Sequence, residues 1–162
     1  MSGSAGGGGP RGPSPPFIDN PSAVLFACTH NALRSPMAAA LMRHFHGHHV
    51  WVQSVGVHRG ELDPFAIVVM EEIGIDLSAH RPQRFEDLED SFFDVVVSLS
   101  PEAQHHAVEM TRSMACAVIY WPTLDPSTTV GNRETVLDAY RAVRDQLTSR
   151  ILRQFPLVGA RV

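Results

Sequence analysis

Cysteine is scarce: the chain has only Cys28 and Cys116, too few for a disulfide framework. That excludes the small secreted scaffolds held together by bridges. It fits a reducing setting, so a cytoplasmic protein is expected. Long apolar runs are missing too, and the N-terminus shows a Gly/Pro/Ser bias with a single arginine. Neither a membrane span nor a signal peptide is expected from that pattern. Lysine is absent, and all 13 basic residues are arginine, a bias of composition with no mechanism attached. A basic excess is absent as well: the net charge is −4 and the pI about 6.1. Nucleic acid and anionic membrane are therefore not expected as partners.

What is present is a globular composition, 44% hydrophobic and 19% charged over 162 residues. That length suits one domain with a substantial core. Residues 1–21 are too rich in Gly, Pro and Ser to offset their ordering entropy and read as a disordered tail. Phe17 and Ile18 are the only candidates there for docking. The domain is expected over 22–156, with a C-terminal tail at 157–162.

Within the domain the pattern alternates strand and helix. Ala23–Ala27 is a continuous apolar run, as a strand buried on both faces should be. Pro36–His46 reads as a helix ending at Gly47, and Val50–Val57 as a strand. Asp63-Pro64 caps a helix running to Gly74. Glu86–Asp90 reads as a short helical turn, and Phe93–Leu99 as the third strand. Ser100-Pro101 caps a helix to Met110, Cys116–Trp121 is the fourth strand, and Arg133–Phe155 is a long amphipathic helix. Its apolar stripe is Val136, Leu137, Tyr140, Val143, Leu147, Ile151 and Leu152. This order predicts an α/β fold, a three-layer α/β/α sandwich around a four-stranded parallel sheet. Ligands of such sheets sit beyond the carboxyl ends of the strands, where Cys28 falls.

The segment Cys28-Thr29-His30-Asn31-Ala32-Leu33-Arg34-Ser35-Pro36 joins a buried strand to a helix N-terminus. Such a loop can aim successive N–H groups and the helix dipole at one anion. Arg34 adds a forked, charge-assisted clamp. The same field favours Cys28 as thiolate, the reactive form, which can take a phosphoryl group covalently. Asp125-Pro126 follows the fourth strand on the same side of the sheet. Asp125 is placed to protonate the leaving oxygen and later to activate water.

Cys-x5-Arg-Ser-Pro after an apolar strand, with Asp-Pro about a hundred residues on, resembles the low-molecular-weight protein tyrosine phosphatases. Those share their fold with the thioredoxin-linked arsenate reductases. Ser54-Val-Gly56 is similar to the family's Ser-Ala-Gly turn, and Gly74-Ile-Asp76-Leu-Ser78-Ala-His80 to its Gly-Ile-Asp-x-Ser-x-His stretch. The likeness runs from about Ala23 to Ile151. It implies a phosphotyrosine protein phosphatase I-like fold, no cofactor and no metal. It implies Cys28 as nucleophile, Arg34 as phosphate ligand, Ser35 as donor to the thiolate and Asp125 as general acid. The loop from Thr29 through His30, Asn31, Ala32 and Leu33 to Arg34 and Ser35 would bind phosphate. Asn31, Ser54 and His80 match a polar network that holds the loop open. The implied substrate is a phosphorylated protein or a small phosphate ester.

Three departures from the family stand out. His30 replaces a glycine, so a different loop geometry is expected there, with an added donor near the phosphate. Leu33 replaces a second loop cysteine, which removes the protective loop disulfide. Ser127-Thr128 replaces an aromatic pair, which removes stacking walls for phosphotyrosine. Elsewhere Cys116 reads as core, and His105 and His106 as surface. His44, His46, His48 and His49 read as a solvated helix end without metal-ligand spacing. Arg59, Arg81 and Arg84 read equally as anion recruitment or as solvated charge. Two other functions compete: arsenate reduction with external thiols, since Leu99–Ala107 lacks the resolving cysteines of the related reductases, and a phosphate-binding module without turnover.

Overall fold

The computed structural model describes residues 20–89 and 92–157. The expected N-terminal tail up to residue 19, with Phe17 and Ile18, and the C-terminal tail from residue 158 lie outside the described residues. The strands are β1 (Ala23–Cys28), β2 (Trp51–Gly56), β3 (Val95–Ser98) and β4 (Ala117–Tyr120). They form one parallel sheet in the order β2-β1-β3-β4. The helices are α1 (Arg34–His46), α2 (Pro64–Glu71), α3 (Pro101–Met110) and α4 (Arg133–Gln154).

β1 is buried along its whole length because β2 and β3 flank it and helices cover both faces. Its side chains alternate between two cores, as a period of two requires. Val24, Phe26 and Cys28 join Met37 and Leu41 of α1 and Leu147 and Ile151 of α4. Leu25 and Ala27 join Val96, Phe85 and Ala103 and Ala107 of α3. The three-layer arrangement follows directly. α1 is buried without a break from Arg34 to Met42, and the small Ala38, Ala39 and Ala40 let it lie close to the sheet. On α4, Leu137, Tyr140, Val143, Leu147 and Ile151 are buried as the helical spacing predicts. Val136 and Leu152 sit half-buried at the edge of that stripe. Each buried side chain of this size is worth about 1.5–3 kcal/mol.

Several boundaries differ from the sequence reading. α1 starts at Arg34 rather than Pro36, because Met37 N–H donates back to the Leu33 carbonyl. α2 ends at Glu71 rather than at Gly74. Gly74 instead takes a left-handed φ of 80°, and Ile75 N–H reaches back to the Met70 carbonyl, a glycine-dependent helix stop. The turn read over 86–90 is a 3-10 turn at Phe85–Asp87. β1 runs one residue further than its apolar run, to Cys28, whereas β2, β3 and β4 are shorter at both ends than the apolar runs suggested. His46 is not solvated: it is buried, and its Nε2 lies 2.8 Å from the Phe155 carbonyl, tying the ends of α1 and α4 together. His106 is half-buried and stacks on Phe85 at 4.3 Å. Among the described residues, no helix is long and apolar enough to cross a membrane.

Candidate active site

The strand order reverses direction around β1, since β2 lies on one side of it and β3 on the other. Loops leaving β1 and β3 diverge there and open a crevice at the carboxyl ends. Cys28 is the last residue of β1, 2% exposed, and its loop turns directly into α1. The fold delivers this cysteine to the crevice because the apolar run before it must pair on both sides.

Four carbonyls of the loop are drawn outward. Those of Cys28, Thr29, His30 and Ala32 accept from the N–H groups of Val57, His58, Gly60 and Asp63, at 3.1, 2.8, 2.9 and 3.0 Å. The segment after β2 thus takes up the loop's acceptors. The N–H groups of Thr29 through Arg34 donate to no acceptor among the described residues. The helices confirm the contrast. Asp63, Ser100 and Asn132 cap α2, α3 and α4 through their side chains, whereas α1 has no side-chain cap. An uncapped helix start beneath a ring of free N–H groups can hold an oxyanion. Gly56 makes the close packing possible, because a Cβ there would lie 2.6 Å from Asn31 N and 2.7 Å from the His30 carbonyl carbon.

The loop's left-handed residue is Asn31, with φ 54°, and not His30. His30 therefore needs no glycine-like backbone, and the strain expected there is absent. Asn31 tolerates this region, and it is fully buried with every side-chain group engaged. Its Nδ2 donates to Ser35 Oγ at 2.8 Å and to Ser54 Oγ at 3.0 Å. Its Oδ1 accepts from Gln83 N–H at 2.8 Å and from His80 Nε2 at 3.1 Å. Because the amide oxygen can only accept, His80 carries its proton on Nε2. Burial, more than any other cause, pushes the His80 pKa below its ordinary value, and the Arg43 charge adds to that.

Ser35 lies under the nucleophile position. Its Oγ is 2.9 Å from Cys28 Sγ, its N–H points to the same sulfur at 3.4 Å, and its Oγ is 3.2 Å from the Val55 carbonyl. Asn31 already donates to this hydroxyl, so its single proton is shared between two acceptors. It goes to Val55 when Cys28 is a thiol and can turn to the sulfur when Cys28 is a thiolate.

Arg34 is 8% exposed. Its Nη1 donates to the Thr123 carbonyl at 2.9 Å and its Nη2 reaches Thr29 Oγ1 at 3.5 Å. Thr29 in turn donates to Ser100 Oγ at 3.0 Å. The guanidinium is fixed from behind with most of its donors uncommitted. Asp125 comes from the segment after β4 and opens a 3-10 turn at Pro126–Thr128. Its Oδ1 accepts from Ser127 N–H and Oγ at 3.0 and 2.7 Å, and its Oδ2 accepts from nothing among the described residues.

Cys28, His30, Ala32, Leu33, Arg34 and Asp125 line a single cleft of about 180 Å³, with Gly60, Glu61, Asp63 and Ser127. Thr29, Asn31, Ser35, Ser54 and His80 do not line the cleft. No Phe, Tyr or Trp contributes to the wall, in keeping with Ser127-Thr128 in place of aromatics. The His30 ring packs 5.7 Å from His58, whose Nε2 is 3.5 Å from a Glu102 carboxylate oxygen. Arg59, Arg81 and Arg84 do not line the cleft. Among the described residues, no group of three or more His, Cys, Asp or Glu side chains could hold a metal ion.

Sequence reasoning missed Thr123, Gln83, Ser100 as the partner of Thr29, and the N–H donors of 57–63. Most act through backbone atoms, which leave no residue-type signal. Asp63, read only as a cap, also accepts from Tyr140 Oη at 2.6 Å. Burial first, and then Asp63, push the Tyr140 phenol well above its usual range.

Cys116 is elsewhere. It is half-buried rather than core and precedes β4 at the amino end of the sheet. Ala27 pairs with Ser98 and Ser98 with Tyr120. The two cysteines are thus two strands apart across the sheet and five rows apart along it, roughly 19 Å at ordinary strand rise and spacing. A disulfide needs Cα atoms within about 7 Å.

Known proteins resemble this chain over most of its length. A family profile described as low molecular weight phosphotyrosine protein phosphatase matches residues 23–154. The arsenate reductase of Bacillus subtilis is 31% identical over 140 residues, covering 84% of this chain and 96% of that one. The glutaredoxin arsenate reductase of Synechocystis sp. is 29% identical over 130 residues, covering 79% and 92%. Among solved structures, the YwlE arginine phosphatase from Geobacillus stearothermophilus has a TM-score of 0.69 at 28% identity, covering 82% of this chain and 90% of that one. A match over most of the domain, on a fold with the same sheet and helices, places the chain in the low molecular weight phosphotyrosine protein phosphatase family of enzymes.

Proposed function

We propose that the protein is a phosphate monoester hydrolase, acting on phosphorylated proteins, that works through a phosphocysteine. The observation that carries this reading is that Asp125, distant in sequence, lines one cleft with Cys28 and Arg34. The loop N–H groups and the Arg34 fork bind the phosphate dianion. Cys28 Sγ attacks phosphorus as thiolate, and the ester P–O bond breaks as the S–P bond forms. Asp125 gives its proton to the leaving oxygen. In the second step Asp125, now a carboxylate, takes a proton from water as the water oxygen attacks phosphorus. The S–P bond breaks, inorganic phosphate leaves and the thiolate returns. Ser35 donates to the sulfur in the thiolate form. Asn31, Ser54 and His80 hold the loop open, and His30 supplies a further donor at the rim. The functional domain is assigned to 22–156, in the cytoplasm.

Arsenate reduction is the second reading, favoured by the names of the relatives in Bacillus subtilis and Synechocystis. It starts at the same cysteine, but its disulfide relay needs a nearby second thiol. Cys116 is too distant for that, and Leu33 and the Leu99–Ala107 stretch offer none. An external thiol would have to serve.

Hydrolysis of para-nitrophenyl phosphate across pH 5 to 8, by wild type and Cys28→Ser, tests the reading. Turnover that disappears in the variant is expected. No turnover by folded wild type, together with arsenate reduction in added glutathione, would replace it with the second reading.

A further inference from the structure

A second depression adjoins the cleft and plays no part in the chemistry above. It is a groove of about 520 Å³ between the Asp125 turn and α4. Leu124, Pro126, Thr128 and Thr129 form one wall and Ala139, Ala142, Val143 and Gln146 of α4 the other, so the lining is mostly apolar with a polar rim. Leu124 is 85% exposed, and Val130, at the end of the same loop, is 92% exposed. Large aliphatic side chains so open to water at the two ends of one loop are not needed by the core, and Leu124 lines the groove. Isolated exposed apolar residues are ordinary, but a contiguous apolar groove marks a contact surface.

Asp125 lines both the cleft and the groove. This continuity fixes the occupant. If Asp125 protonates the leaving oxygen, the body of the substrate attached to that oxygen continues past Asp125. Beyond Asp125 lies the groove. A free arsenate ion has no such body and would leave the groove empty.

We propose that the groove is the subsite for an apolar side chain next to the phosphorylated residue of a protein substrate. This rests on the phosphatase reading of the cleft. The groove binds that side chain by burying it against Leu124, Ala139, Ala142 and Val143, and so adds to transition-state binding for a phosphoprotein only.

The test uses the full chain and two phosphotyrosine peptides that differ only in the residue beside the phosphotyrosine, leucine or serine. The leucine peptide is expected to have a kcat/KM at least about tenfold higher, the effect of one well-buried aliphatic side chain. Ala142→Glu, at an exposed position of α4, is expected to erase that difference and leave para-nitrophenyl phosphate turnover unchanged. Equal kcat/KM for the two peptides, or a preference that survives Ala142→Glu, would overturn the proposal. So would a wild-type dimer in sedimentation that Ala142→Glu dissolves, which would assign the groove to a second copy. Failure of the phosphatase reading shows separately, as para-nitrophenyl phosphate that folded wild type does not turn over or as turnover that persists in Cys28→Ser.

Discussion

The two ends of the sheet treat the same residue type in opposite ways. At the carboxyl end, Cys28 closes a strand flanked on both sides, meets the uncapped start of α1 and lies 2.9 Å from Ser35 Oγ. At the amino end, Cys116 faces an acid. Burial raises its thiol pKa, the Asp94 charge adds to that, and its Sγ is 3.6 Å from the Ala117 carbonyl. There Asp94 ties down the start of β1, accepting from Ser22 and Ala23 N–H at 2.8 and 2.7 Å. One end leaves donors free for a ligand, and the other uses its polar groups on the chain itself. Reactivity follows from which end of a parallel sheet a cysteine reaches, more than from its being a cysteine.

If this division holds, Cys28→Ser should end turnover below detection while the melting temperature holds. A variant that retains steady turnover would break the comparison at its centre. Asp125→Ala should slow hydrolysis by about 10²- to 10⁴-fold with poor leaving groups, and far less with para-nitrophenol. Equal losses for both would remove Asp125 as the acid.

At the other end the expected change is in stability. Asp94→Ala should lower unfolding free energy by roughly 1.5–3 kcal/mol, the range for hydrogen bonds to a charged group. Its kcat should match wild type in urea-free buffer, and a collapse of kcat would mean the two ends are coupled.

A smaller, pH-dependent effect sharpens the picture behind the loop. His80 has its pKa lowered from the ordinary 6.5 by burial. Between the lowered value and 6.5 the unfolded chain binds more protons than the folded one, so stability rises with pH through that window and falls on acidification. Urea midpoints at pH 7.5 and 5.5 should therefore differ less in His80→Gln than in wild type. An identical difference would show that His80 does not titrate with folding. The smallest effect is expected for Cys116→Ala: unchanged turnover, and a stability change of about 0.5 kcal/mol.

Much of this was legible in the sequence. The alternation of apolar runs and capped helices dictates a parallel α/β sheet, because buried strands need unbroken apolar sequence and crossovers need helices. The cap residues Asp63 and Ser100 set the starts of α2 and α3 through bonds to residues only two or three positions on. Those are local interactions, so local sequence suffices. That Cys28, Arg34 and Asp125 would meet was legible because each follows a strand at the carboxyl end of such a sheet. His46 was misread because its partner, the Phe155 carbonyl, is more than a hundred positions away.

What only the tertiary structure decided is where backbone groups point. The outward pull on the loop carbonyls by Val57, His58, Gly60 and Asp63 has no residue signature, since any N–H can donate. The left-handed turn falls on Asn31 because nearby Ser35 and three partners from two distant segments, Ser54, His80 and Gln83, lock its side chain. The 19 Å between the cysteines follows from strand order, which periodicity cannot set. Sequence alone determines which elements form, through interactions that span a few residues. The ligand cradle depends on contacts between segments that become neighbours only when the sheet assembles.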